Sequence, residues 1–489
     1  MLFLLCFISV SQLLTVFGQS CHPAGKLTHL QLYLEEIPMQ HDLASGKLSA
    51  IMIRFSVPFL AASFLQTFYG LADLFITGQF NGAAAISAVS IGSQVMHMLT
   101  VMIVGLATGT MVMLSRSLGA KQPAEAARSI GNSIVLFLAV SAVSVAVLLV
   151  LVDPIILALQ APAESVAQTR QYLSICLAGL PFIIAYNVIS SIFRGMGDTK
   201  SPMIFVAIAG VINIVLDYLL IDPFGMGAAG AALATVVSQA ISVLTSLFAP
   251  KKALSAIRLT RRDLRPESSM IHNILMIGVP IAVQEGLIQI SFLIITAIAN
   301  TRGVQVAAAV GIVEKVISFL FLVHSAMLST VSAVAAQNMG AGFHERSRQA
   351  LFLGIRICVI FGGAVFILCQ IIPEGIVGLF VHGDPEVILL GAQYLRAYSL
   401  DCVFAGVHFC FSGYFSAYGR SLYSFVHNMI SVLLVRIPGA WLATVLFPQT
   451  LYPLGLAAPL GSLLSIGICV VLYRHGRKYF GPSQSDAKA

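Results

Sequence analysis

Apolar residues run in long blocks along most of this chain, and short polar stretches rich in Gly, Pro and Asp separate the blocks. A helix that crosses a bilayer needs about 20 apolar residues at a rise of ~1.5 Å each. Counting blocks of that length predicts twelve spans near residues 50–77, 84–114, 127–152, 168–193, 201–221, 227–249, 271–300, 305–336, 349–371, 388–416, 422–446 and 454–473. Asp153-Pro154, Asp222-Pro223 and Asp384-Pro385 mark three of the breaks.

The pattern also repeats at an offset of about 222 residues. Ser56-Val57-Pro58 answers Gly278-Val279-Pro280, and Leu118-Gly119-Ala120 answers Met339-Gly340-Ala341. Phe193 to Gly197 answers Phe415 to Gly419, and Gly225-Met226-Gly227 answers Pro453-Leu454-Gly455. Six spans per half is an even number, so both halves have the same orientation and the repeat is parallel. The expectation is an all-α integral membrane protein: twelve transmembrane helices in two six-helix bundles related by a pseudo-two-fold axis. The expected parts are an N-terminal extension (1–46), a first bundle (47–249), a connecting loop (250–269), a second bundle (270–475) and a tail (476–489). Met1 to Phe17 is apolar with no preceding basic residue, a poor signal peptide. Met39 is read as the expected start of translation.

Composition agrees with lipid as the solvent. Of 489 residues, 58% are apolar and 10% are charged. A soluble enzyme, a nucleic-acid-binding protein and a disordered scaffold are excluded on that balance. The net charge of +7 is therefore read as orientation. Most Lys and Arg fall in alternate connections, such as Lys251 to Arg265, while the other connections carry Asp153, Asp222, Glu374 and Asp384. The positive-inside rule then puts both termini in the cytoplasm of a cell with the protein in its plasma (inner) membrane. The eight Cys form no CxxC pair and read as small core residues.

The stretches 71–95, 193–203 (FRGMGDTKSPM), 213–221, 224–239, 335–342 and 436–444 resemble the multidrug and toxic compound extrusion (MATE) family in its prokaryotic form. The resemblance covers about residues 47–475. It implies a secondary antiporter that exports organic, often cationic and amphipathic, compounds in exchange for H⁺ or Na⁺, acts as a monomer and needs no other cofactor. The partners expected are the lipid bilayer and a drug-like small molecule, with no nucleic acid. A lipid-linked oligosaccharide or other lipid flippase of a related fold is the alternative. An enzyme is not expected, because no HExxH, GxSxG or metal-ligand spacing occurs in the spans.

An ionisable group inside lipid needs a partner, water or a function. Asp73, Asp217, Glu285, Glu314 and Asp401 fall in predicted spans. Asn213 lies one helical turn before Asp217, so both share a face. By resemblance, Asp73, Asn213, Asp217 and Thr235 match the polar cluster where family members bind the coupling cation. Two carboxylates in a pocket of low dielectric resist ionising together, so the pair can carry a proton; with an amide and a hydroxyl it also offers oxygen ligands to Na⁺. No metal beyond that Na⁺ is expected. Gln284, Glu285, Glu314 and Asp401 are candidates for the substrate cleft. The family's acid in span 7 falls one turn further on, at Ile288 here. Asp401 is open to an ion pair with Arg396, Glu314 to neutralisation by Lys315, and Arg436 to anchoring Asp401 or capping broken backbone. Pro58 and Pro280, at matching places in spans 1 and 7, are candidate kinks. The methionines of span 2 read as bundle core or lipid contact, and the histidines 97, 324, 408 and 427 as hydrogen-bonded core residues.

Overall fold

The computed structural model describes residues 42–247, 257, 259–381 and 384–476. The expected extension up to Met39, part of the 250–269 connection and the tail beyond residue 476 lie outside these residues. The first half contains α1 (Leu48–Phe80), α2 (Ala83–Gly119), α3 (Pro123–Val150) and the short α4 (Val152–Ala158). It continues with α5 (Val166–Ala178), α6 (Leu180–Gly195), α7 (Lys200–Ile221) and α8 (Gly227–Leu247). The second half repeats the plan with α9 (Ser268–Asn300), α10 (Val304–Gly340), α11 (His344–Ile371) and the short α12 (Pro373–Gly378). Then come α13 (Pro385–Tyr398), α14 (Asp401–Ala417), α15 (Ser421–Ser431), a π-helical turn (Val432–Arg436), α16 (Ile437–Leu446) and α17 (Tyr452–His475).

Among the described residues ten helices, counting Ser421–Leu446 as one, are long and apolar enough to cross a membrane, and two bent pairs raise the number to twelve. The bent pairs are α5–α6, at 48°, and α13–α14, at 42°. Both were expected as single spans, and the breaks have local causes. Pro181 lacks an N–H in the first turn of α6. Gly179 before it lies so close to Val236 of α8 that a side chain would not fit. At the second break the carbonyl of Arg396 is taken up by the Gln370 side chain (2.8 Å) and by the Ser399 hydroxyl (3.0 Å). Pro438 similarly denies a hydrogen bond to the turn before it, and the backbone widens there into the π-helical turn that carries Arg436.

Each half has its own core. Val89, Tyr172, Leu173 and Ile221 belong to the first, and Ile295, Val313, Tyr394 and Leu454 to the second. A third cluster joins the halves. It gathers Met52 and Phe55 of α1, Met111 and Val112 of α2, Ile277 of α9, Val331 of α10 and Phe415 of α14. All of these lie toward the ends of the helices nearest the two chain termini, here called the terminal face. Glycines permit that approach. A methyl group on Gly109 would run into the Ile274 carbonyl, and one on Gly278 into the Leu106 carbonyl. The repeat landmarks Gly119 and Gly340 meet in the same way: a Cβ on Gly119 would strike the Gln337 carbonyl, and one on Gly340 the Arg116 carbonyl. Leu43 completes the closure from the preceding segment. Its N–H donates to Gln337 (3.1 Å) and its carbonyl accepts from Asn338 (3.1 Å).

Away from the terminal face, the cores of the two halves share no residue among those described. There Phe64 of α1 stacks on Phe319 of α10 across the halves at 6.3 Å.

Candidate functional site

The structure brings Asp73, Asn213, Asp217 and Thr235 together inside the first bundle. They come from α1, α7 and α8, which pack on one another. Asp73 and Asp217 are buried, as is Asn213. Thr235 donates its hydroxyl to Asp73 Oδ2 at 3.1 Å, and Asp217 and Asn213 flank the same carboxyl. The other Asp73 oxygen, both oxygens of Asp217 and both amide atoms of Asn213 have no hydrogen-bond partner in the protein. Three such side chains, two of them carboxyls, buried without a Lys or Arg to neutralise them are costly unless a cation or proton compensates.

Sequence reasoning missed the aromatic wall of this cluster. Tyr69 lies one turn before Asp73 on α1, and its hydroxyl accepts from Gln239, one turn past Thr235 on α8, at 3.0 Å. The spacing of four residues in both helices was the available signal. Tyr172 and Cys176 of α5 close another side.

The second bundle treats its acids differently. Glu314 Oε2 accepts from Thr296 at 2.8 Å. Arg436 is buried, donates to the Tyr398 hydroxyl at 2.6 Å and lies over the Phe292 ring at 4.6 Å. Its charge faces both Asp401 and Glu314. Arg396 is not the partner of Asp401; it pairs with Glu374 at 3.1 Å. That contact repeats Arg170–Asp153 of the first bundle, at 2.7 Å. A helix bend between Arg396 and Asp401 turns their side chains apart. Gln284 is buried and Glu285 is half-buried beside Gly286, on which Met102 of α2 sits.

Pro58 lies within the continuous helix α1, and Pro280 within α9. Before Pro58, α1 contributes Met52 and Phe55 to the core shared with the second bundle. After it, α1 carries Tyr69 and Asp73 against α7 and α8 of the first. Pro58 thus stands where one helix passes from one bundle to the other. His324, His408 and His427 are buried and hydrogen-bonded, to Cys402, Ser462 and Ser412 respectively. His97 is not core: it is exposed on α2. The six described cysteines are free and buried.

Two stretches of this chain, residues 58–219 and 280–442, match the MatE family model. The chain belongs to the MatE family. The matches begin at Pro58 and Pro280, so one family model fits once in each half of the chain, at the places that answer each other in the internal repeat. Asp73, Asn213 and Asp217 fall in the first match, and Glu285, Glu314, Asp401 and Arg436 in the second. Among curated relatives, the Bacillus subtilis "Probable multidrug resistance protein YpnP" is 29% identical over 440 residues, covering 89% of this chain and 97% of that protein. The Shewanella oneidensis "FAD transporter" is 26% identical over 445 residues, covering 88% and 96%. A solved structure described as an outward-facing MATE family multidrug resistance transporter superposes with a TM-score of 0.82 at 22% identity, covering 90% of this chain and 97% of its own. The fold of this MatE chain is therefore that of a twelve-helix, two-bundle membrane transporter, and the chain is not an enzyme.

Proposed function

We propose that this MatE chain is a secondary antiporter of the plasma membrane that exports amphipathic organic compounds in exchange for H⁺ or Na⁺. The observation that carries this reading is the buried, unneutralised Asp73–Asn213–Asp217–Thr235 cluster. A proton or Na⁺ bound there offsets the cost of the paired carboxylates, and Thr235 and Asn213 add neutral oxygens. The loops of the terminal face hold most of the Lys and Arg, which supports a cytoplasmic terminal face, both termini inside and a cleft open to the outside. The ion enters from that side. Coupling requires that it bind the outward- and inward-open states with different affinity. Pro58, between the half of α1 held by the second bundle and the half that carries Asp73, is the place where ion binding is felt by the joint between bundles. The names of the relatives, multidrug resistance proteins and an FAD transporter, favour solute export over lipid flipping. The protein acts as a monomer in this scheme, since each chain holds both bundles.

Efflux of a fluorescent amphipath from proteoliposomes, under separate proton and sodium gradients, tests the proposal. Export driven by one gradient and lost in Asp217→Asn is the expected result. Export unaffected by either gradient, or unchanged in Asp217→Asn, overturns it.

A further inference from the structure

A cavity of about 270 Å³ lies at the terminal face, apart from the ion cluster. Its walls are the segment that leads into α1, the first turns of α1 and the turn between α6 and α7. Four charged residues line it: Asp42, Arg54, Asp198 and Lys200. None of the four ion pairs among the described residues includes any of them. The two acids are not equivalent. Asp198 spends both oxygens on the start of α7. One accepts from the N–H groups of Lys200 (2.9 Å) and Ser201 (3.1 Å), the other from the Ser201 hydroxyl (2.6 Å). Asp42 commits one oxygen, to the N–H of Ala44 at 2.8 Å. The cavity thus offers two cations and one carboxylate oxygen to a ligand.

The depth of these charges points to the kind of ligand. With 22 residues, α7 is about 33 Å long, close to the thickness of the hydrocarbon core, and Lys200 is its first residue. Arg54 lies about 9 Å along α1 from Leu48. Both are exposed and stand where lipid headgroups begin. Beyond Lys200, Ile204, Ile208, Val211 and Val215 follow on the same face of α7, and all four are exposed. Ile53 and Val57 are exposed beside Arg54 on α1. A lipid whose chains lie along this apolar stripe has its headgroup at the cavity. Basic pockets between membrane helices at this level are suited to lipid phosphates.

We propose that the cavity binds the headgroup of a phosphatidylethanolamine from the leaflet at the terminal face. Arg54 and Lys200 donate to its phosphate, and its ammonium donates to Asp42. A headgroup with a phosphate and no amine leaves Asp42 facing a second anion. A choline headgroup carries the same charges but has no N–H to donate. The walls belong to different halves of the molecule. Leu43 is tied to Gln337 and Asn338 of α10, and Arg346 of α11 donates to the Gly46 carbonyl, whereas Gly197 to Lys200 belong to the first bundle. The headgroup thus bridges the halves where the terminal face closes.

Native mass spectrometry of the full chain in detergent tests this with phosphatidylethanolamine, phosphatidylcholine and phosphatidylglycerol of identical acyl chains, and with inorganic phosphate. Phosphatidylethanolamine is expected to bind about 10-fold or more tighter than either other lipid, the scale of one charged hydrogen bond. Inorganic phosphate is expected to bind more weakly than all three. Asp42→Asn keeps the oxygen that accepts from Ala44 and loses the charge. It is expected to bring phosphatidylethanolamine down to the level of phosphatidylcholine and to leave phosphatidylcholine unchanged. Arg54→Gln and Lys200→Gln are each expected to weaken both lipids about 10-fold or more. The unfolding midpoint of each variant without added lipid reports that it is folded, and the ranking of lipids on the wild-type protein decides the matter without any variant. Phosphatidylglycerol bound as tightly as phosphatidylethanolamine, or a preference for phosphatidylethanolamine that survives Asp42→Asn, overturns the proposal. Inorganic phosphate bound as tightly as the lipids makes this a site for free anions and overturns it too. The measurement uses no ion gradient, so its outcome is independent of the export reading.

Discussion

Arg116, near the end of α2 in the first bundle, donates both Nε (2.8 Å) and Nη2 (2.6 Å) to the carbonyl of Ala417, the last residue of α14 in the second. A guanidinium at a helix C-terminus meets carbonyls with no partner of their own and the negative end of the helix dipole. The contact also crosses between bundles, beside the Gly119–Gly340 approach. It therefore belongs to the closed terminal face and has to break when that face opens.

Removing this contact should favour opening. Charge-assisted hydrogen bonds contribute roughly 1.5–3 kcal/mol, so Arg116→Ala is expected to shift the balance of states by about 10-fold or more toward an open terminal face. Ser329 of α10 touches Met111 of α2 across the joint. The labelling rate of Ser329→Cys by a polar thiol reagent added at the terminal face should rise by that factor in the Arg116→Ala background. An unchanged rate would place the closure elsewhere.

Gly119→Ala and Gly340→Ala should act in the same direction by steric means. Each new methyl would meet a carbonyl of the facing helix, and overpacking of this kind costs about 1–3 kcal/mol. Transport should fall severalfold with helix content by circular dichroism unchanged. Wild-type transport in both variants would show that these helix ends do not meet.

Asp217→Asn should separate function from stability. The amide cannot carry the coupling charge, so ion-driven efflux is expected to fall about 100-fold or more. Thermal unfolding in detergent should be unchanged or raised, because a neutral group costs less to bury than a carboxylate without a counter-charge. A large drop in the unfolding midpoint would contradict that picture.

The two arginines of the second bundle should differ sharply. Arg396 and Glu374 are both solvent-accessible, with 40% and 47% of their side chains exposed, and exposed pairs are worth about 1 kcal/mol or less. Arg396→Gln should barely move the unfolding midpoint. Arg436→Gln leaves Tyr398, Asp401 and Glu314 without a buried cation and should lower the midpoint by several degrees, on the scale of ~3–5 kcal/mol for breaking a buried charge arrangement. Equal small effects would mean that Arg436 is not anchored there.

Twelve spans, two like halves and a multi-pass membrane protein were legible from the chain because they rest on local rules. In lipid every helix must satisfy its own backbone, so length and hydropathy alone locate it. Asp73, Asn213, Asp217 and Thr235 were legible as a set through the family resemblance, and the turn spacing of Asn213 and Asp217 agreed. The bend at Gly179 escaped because the apolar run continues through it, and the one at Ser399 because Arg396, Ser399 and Asp401 read as polar positions inside one span. Only the tertiary structure decided the partners: Arg396 with Glu374 and not Asp401, Arg436 with Tyr398, and Glu314 with Thr296; it also left His97 exposed and not in the core. Each of those contacts joins residues from different helices. Which side chains meet depends on crossing angles and on how closely glycines let backbones approach, and no periodicity along one helix records either.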